Sequence, residues 1–247
     1  MDRLLDLTRQ AEDDHFWYHG FRSYLHPVFA SVAAGRTGLR VLDCGCGTGH
    51  NLATLLRPYG RAFGFDRTPS GLLHAHAAGF PLARADMAAI PFQSARFDLV
   101  TSFDVMQYVA DDDAVMREMA RVLKPGGALV VTAAALDVLR GGHAGTWPEV
   151  RRYTSARMRA IVENAGMKVH RLTYLFASLF PAMLAVRALR RDQSAGATGP
   201  AGEDWEMRVP AAPINAALTW MLGGEAAISR RIPMPVGSSV LVVARKP

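Results

Sequence analysis

The chain has 247 residues, half of them hydrophobic and a fifth charged, which suits one α/β domain with elaborations. Its 28 Lys and Arg outnumber its 22 Asp and Glu, giving a net charge of +6. The arginines are dispersed and not interleaved with aromatics, so no groove for single-stranded nucleic acid is expected. The two cysteines, Cys44 and Cys46, are too close to bridge and have no partner pair at zinc spacing, so neither a disulfide framework nor a metal is expected. The opening MDRLLDLTRQAEDDHFW has no apolar core of signal type, and no run of about 18 uninterrupted apolar residues occurs, so a cytoplasmic protein is expected.

In chain order, Leu4, Leu5, Leu7 and Ala11 give a helical face, followed by the aromatic cluster HFWYHGF and a helical stretch from Tyr24 to Ala33 containing Pro27. From Leu39 strands alternate with helices, the pattern of a parallel sheet with crossovers. Strands are predicted at Leu39–Asp43, Arg61–Asp66, Leu82–Asp86, Phe97–Phe103 and Ala128–Ala133. Between them, helices are predicted at Asn51–Leu56, Pro69–Ala78 and Asp112–Leu123, and Pro125-Gly126-Gly127 reads as a turn. Thr154–Ala165 reads as a capped helix, and Met167–Thr173 and Ser238–Ala244 as two final strands. The long interval between them holds the apolar stretch Leu172–Val186, a small-residue linker at Ser194–Gly202 and a helix near Ile214–Leu222. A connection of that length is more often functional than idle.

The chemistry concentrates at the ends of the early strands. Asp43 is followed by G-x-G-x-G, Gly45 to Gly49, in a strand-to-helix loop where a ligand can approach the backbone. Asp66 ends the second strand, where a carboxylate can accept both ribose hydroxyls of an adenosine, and Asp86 ends the third, within reach of an adenine amino group with Met87 against the ring. The fourth strand runs into Ser102-Phe103-Asp104 at the switch point of the sheet. A nicotinamide dehydrogenase would need the third glycine at dinucleotide spacing, which the loop lacks.

The segments VLDCGCGTGHN, FGFD, RADMAAIPF, FDLVTSFDVMQYV and RVLKPGGALVV resemble, in order and spacing, class I S-adenosylmethionine-dependent methyltransferases over roughly Leu39 to Thr132. The resemblance implies a Rossmann-like α/β fold: a seven-stranded sheet of five parallel strands plus an antiparallel terminal pair, with helices on both faces. It implies S-adenosylmethionine as cofactor. Asp43, Gly45 and Gly47, with Cys44 and Asn51, would hold its methionine end, Asp66 with Arg67 its ribose, and Asp86 and Met87 its adenine. Phe103 and Gln107 would line the site. Tyr108 stands where many small-molecule relatives have His, and a phenol is no base at neutral pH without help. The segment EDDHFWYHGFRSYL resembles the acid-acid-x-His-aromatic opening of a bacterial subgroup; Trp17, Tyr18 and Arg22 would then cover the cofactor as a lid.

The expected organisation is a helical lid at 1–38, a cofactor-binding core at 39–174, a substrate-side insertion at 175–237 and a last core strand at 238–247. His15, His19 and His143 are candidate bases, because His titrates near neutrality. Tyr108, His143, Arg151 and Tyr153 are candidate acceptor contacts. The expected acceptor is a small molecule or a glycan- or lipid-linked intermediate methylated on O or N, in natural-product or polysaccharide biosynthesis. Two rivals stay open: an RNA methyltransferase, motivated by the basic balance, and a binding protein that keeps the fold without catalysis. No nucleic-acid partner is expected from the main reading, while a peripheral membrane contact through Leu172–Leu189 with Arg187, Arg190 and Arg191, or a homodimer, stays open.

Overall fold

The computed structural model describes residues 2–140, 149–191 and 208–247. His143 therefore lies outside the described residues. Strands β1 (Leu39–Cys44), β2 (Gly60–Asp66), β3 (Leu82–Arg84), β4 (Phe97–Phe103), β5 (Leu123–Ala134), β6 (Lys168–Leu175) and β7 (Ser239–Arg245) form one sheet in the order β3-β2-β1-β4-β5-β7-β6. The first five run parallel, and β7 pairs antiparallel with both β5 and β6. This is the Rossmann-like methyltransferase sheet. Its order reverses between β1 and β4, which opens a crevice at the carboxyl ends of those strands.

Alternation along each strand divides two apolar layers. Leu42, Val100, Leu129 and Val131 face a layer that contains Met116 and Met119 of α4 (Asp112–Val122) and Met158 and Ile161 of α5 (Ser155–Asn164). Val41, Leu99 and Val130 face the other, built on α2 (Phe16–Ala33) with Leu222 and Ala226 of α7 (Ala212–Ser229). Central parallel strands are buried on both sides and so read as nearly continuous apolar runs.

Several boundaries differ from the sequence reading. α2 runs unbroken through Pro27 and carries the whole aromatic cluster, because Phe21, Leu25, Val28 and Phe29 pack on the sheet and hold the helix across the lost amide donor. It is thus a layer of the core, while α1 (Asp2–Ala11) is the part that lies over the glycine loop. The helix expected at Asn51–Leu56 is a π-type turn at Leu52–Leu56 followed by a 3₁₀ turn. Pro125-Gly126-Gly127 lies inside the strand β5 rather than before it, its backbone bonded to the chain end through Lys246. The stretch Leu172–Val186 divides into the end of β6 and α6 (Phe180–Arg191); α3 (Pro69–Ala77) follows β2 as expected. No helix among the described residues is long and apolar enough to cross a membrane.

Candidate active site

The glycine loop turns sharply out of β1. Gly45 and Gly47 have φ of +77° and +50°, the left-handed region that glycine enters at no steric cost. A Cβ on Gly45 would lie 2.6 Å from Val105 Cγ2, so the loop packs on the segment after β4. A Cβ on Gly47 would meet only Leu5 of α1, at 3.7 Å.

Asp43 is buried at the end of β1, where the Thr101 hydroxyl of β4 donates to it at 2.7 Å. Burial raises its pKa to about 7, and nearby Asp66 adds to the rise. Among the described residues a hydroxyl and a carboxylate are its electrostatic neighbours, with no cation counted. Such a carboxylate is costly unless a positive ligand arrives. Asp66 accepts from the Gly47 amide at 2.9 Å and from both the amide and the hydroxyl of Thr68. A carboxylate offers about four acceptor positions, so one stays open for a ligand hydroxyl. Asp86 is exposed; it accepts from the Ala88 amide at 2.9 Å and lies 3.7 Å from Arg67. Met87 is 8% exposed, in the α4 and α5 layer. Cys44 is fully buried there too, so only its backbone can meet a ligand. Asn51 sits at the start of the turn behind the loop.

The N-terminal segment closes over this loop by a polar latch. The Thr48 hydroxyl donates to the buried Glu12 carboxylate at 2.7 Å. Arg22 donates to the Glu12 carbonyl at 2.8 Å and reaches His50 Nε2 at 2.9 Å and His19 Nδ1 at 3.1 Å. Arg22 and His19 therefore brace the junction of α1 and α2. The Asn215 side chain of α7 accepts from the Phe16 amide and donates to the Asp14 carbonyl, both at 2.8 Å. Tyr18 is hydrogen-bonded to Thr8 and feels the charges of Glu12 and Asp104.

Several residues expected at the site are engaged by the protein itself. His15 caps α2, its Nδ1 accepting the Trp17 amide at 3.1 Å while the ring also bonds backbone at Arg208; a ring so engaged serves as a cap and not as a base. Trp17 stacks on Phe176 with centroids 3.8 Å apart. Phe103 meets Phe21 edge-on in the α2 layer. Gln107 is buried and spends its amide on the Asp104 carbonyl and the Ala134 N–H, bracing β4 against β5. Tyr153 is fully buried, donating its hydroxyl toward the Met106 carbonyl and Asp112. Arg151 pairs with the Asp112 carboxylate at 2.5 Å and donates to the Ala110 carbonyl at 2.6 Å, so both terminal nitrogens of its guanidinium are turned onto the protein.

Asp104, noted in the sequence only as the end of the switch-point strand, is the residue that the structure adds. It holds φ +54°, a strained conformation that Asp tolerates better than most residues. Its amide bonds to the Thr132 carbonyl at 3.0 Å, and the Thr132 hydroxyl lies 3.3 Å from its carboxylate. Burial raises its pKa to about 6. The surrounding charges are Arg152 and Glu149, which pair at 2.7 Å, and Tyr108 lies in the same field. Burial pushes the Tyr108 phenol up to about 12, which removes it further from base chemistry.

Residues 42–131, the loop and the strand ends just described, match the methyltransferase domain family. Over that stretch the chain is similar to methyltransferase domains. The chain is 27% identical over 162 residues to a protein of Mycolicibacterium smegmatis named "probable S-adenosylmethionine-dependent methyltransferase", covering 64% of this chain and 61% of that one. It is 27% identical over 198 residues to the malonyl-[acyl-carrier protein] O-methyltransferase of Herminiimonas arsenicoxydans, covering 73% and 74% respectively. The chain spans about half the length of several curated relatives it matches and about a third of another. The whole fold superposes, with a TM-score of 0.63 and 22% identity, on the methyltransferase bound to the Trm112 activator in a Haloferax volcanii complex, over 100% of this chain and 95% of that one.

Proposed function

We propose that the protein is an enzyme that binds S-adenosylmethionine and transfers its methyl group to O or N of a small-molecule or glycan- or lipid-linked acceptor. The observation that carries this reading is Asp43: a buried carboxylate with no cationic neighbour among the described residues, beside a glycine loop at the switch point. A sulfonium amino acid supplies the missing positive charge. When bound, the cofactor brings an electrophilic methyl group that needs an aligned nucleophile and exclusion of water.

In this reading Asp43 faces the charged methionine end, with the loop amides around Gly45 and Gly47. Asp66 fixes the ribose through its open acceptor position while its other lone pairs hold the loop closed. Asp86 and Met87 border the adenine. The Glu12–Thr48 latch holds α1 across the loop and keeps water out. On the acceptor side Asp104, raised to about pKa 6, is ionised at neutral pH and takes the proton of an acceptor hydroxyl or ammonium. It replaces His15 in that role. Arg152 and Glu149 set its charge environment.

Calorimetric titration with S-adenosylmethionine and S-adenosylhomocysteine tests the cofactor reading. One-site binding of both supports it, and no heat at millimolar ligand ends it.

A further inference from the structure

α7 presents two unlike faces. Leu222, Glu225, Ala226 and Ser229 are buried, and Glu225 turns inward to accept from Ala177 and Ser178. The outer face carries Ile214, Ala217, Trp220, Gly224 and Ile228, and neither it nor any other exposed position of the helix carries a charge. Trp220 is 83% exposed. Among the described residues, most exposed large hydrophobics fall on this helix and its flanks, where Val209, Ile232 and Val236 join Ile214, Trp220 and Ile228. A contiguous apolar surface of this kind marks an interaction site.

The charges at its ends say which partner fits. Arg208 precedes the helix and Arg230 and Arg231 follow it, all exposed. Arg230 and Arg231 make no ion pair among the described residues. Arg171 adds a further cation beside Arg230. Among the described residues, a second copy of the face, laid parallel or antiparallel, would bring arginines against arginines with no acid between them. An anionic bilayer meets the apolar face with acyl chains and the arginines with headgroups, and Trp is favoured at that boundary.

We propose that the outer face of α7 docks in the plane of an anionic membrane surface. The helix has 18 residues, about 27 Å at ~1.5 Å per residue, so it offers a long strip without crossing the bilayer. Its inner face holds Asn215, which ties the Asp14–Phe16 turn and with it the latch over the glycine loop. The docking strip and the lid support are thus two sides of one helix, which places the site next to the bilayer.

The test is co-sedimentation of the full chain with vesicles of phosphatidylcholine, alone or mixed with phosphatidylglycerol, with calorimetric S-adenosylmethionine binding measured in parallel. The expected result is binding to the anionic vesicles only, weakened by salt and abolished by Trp220→Glu with no loss of thermal stability. The Arg230→Ala/Arg231→Ala variant should bind about 30-fold more weakly, the loss expected of two interfacial arginines. Absence of anionic-vesicle binding, unchanged binding by Trp220→Glu, or a dimer lost on Trp220→Glu without vesicle binding would each overturn the proposal. Failure to bind S-adenosylmethionine would remove the methyl-transfer reading and leave docking untouched.

Discussion

The Glu12 carboxylate and the Thr48 hydroxyl meet at 2.7 Å in a buried position, joining the N-terminal segment to the middle of the glycine loop across 36 residues of sequence. The contact explains how α1, a single helix resting on the loop through Leu5, stays closed. A hydrogen bond to a charged group contributes about 1.5–3 kcal/mol. Thr48→Val should therefore speed hydrogen exchange of the α1 amides by about 10- to 100-fold while leaving β4 and β5 protected. Equal exchange in the two proteins would show that the latch holds nothing.

Asp43 predicts a pH dependence of cofactor binding. Its pKa in the free protein is about 7, and a cationic ligand favours the ionised form. Binding should release a proton near neutrality, and affinity should fall by about tenfold per pH unit below pH 7. Calorimetry in two buffers of different ionisation enthalpy reads the released proton directly. The same carboxylate penalises the fold. With its pKa raised above the unfolded value, the folded state binds the extra proton, so stability falls as pH rises between about 4 and 7. Asp43→Asn should raise the melting temperature at pH 8 by on the order of 5 °C and weaken the cofactor.

Asp112 predicts the opposite sign. Arg151, Arg157 and Tyr153 hold its buried carboxyl below the usual range. Its contribution is present above the unfolded pKa and is lost as pH falls through the lower folded value. Asp112→Ala removes the shared acceptor of two partly solvated arginines and of the Tyr153 hydroxyl and should cost about 1–3 kcal/mol at pH 7, measured by urea unfolding. Arg151→Ala should lower stability without altering cofactor affinity; unchanged stability would show that its pairing with Asp112 contributes nothing.

Asp104 is expected to set the acid limb of turnover. With an acceptor in hand, kcat/KM should rise with pH up to about 6 and level off, and Asp104→Asn should remove that limb while lowering the rate by about 10²–10⁴-fold. Asn tolerates the same backbone conformation, so a normal melting temperature should accompany the loss. A retained limb in the variant would move the base elsewhere.

The geometry of the glycine loop and its neighbouring acids was legible in the sequence because its signals are local. A strand, a glycine loop and an acid at the next strand end are read from short windows, and Asp43, Gly47 and Asp66 do converge. The acceptor half was not, because its identity rests on contacts between distant segments. Arg151 and Tyr153 looked free beside a helix, and only the fold shows both turned onto Asp112, about forty residues earlier. Gln107 looked like a lining residue and proved to brace two strands. His15 carried the chemistry of a base and the position of a helix cap, and the cap is what its nitrogen does. Asp104 gave one sign in advance, an acid at the end of the switch-point strand; its burial and its neighbours appear only once β5 and the 149–153 segment are in place.

The central claim is that the loop at 45–49 and the acids behind it hold S-adenosylmethionine. Titration of the full chain with S-adenosylmethionine at pH 8, beside the Asp66→Ala variant, tests it most directly. The account predicts one site per chain, with affinity at least about tenfold weaker in the variant, which loses a charge-assisted hydrogen bond. No binding at millimolar ligand, or equal affinity in the two proteins, would contradict it.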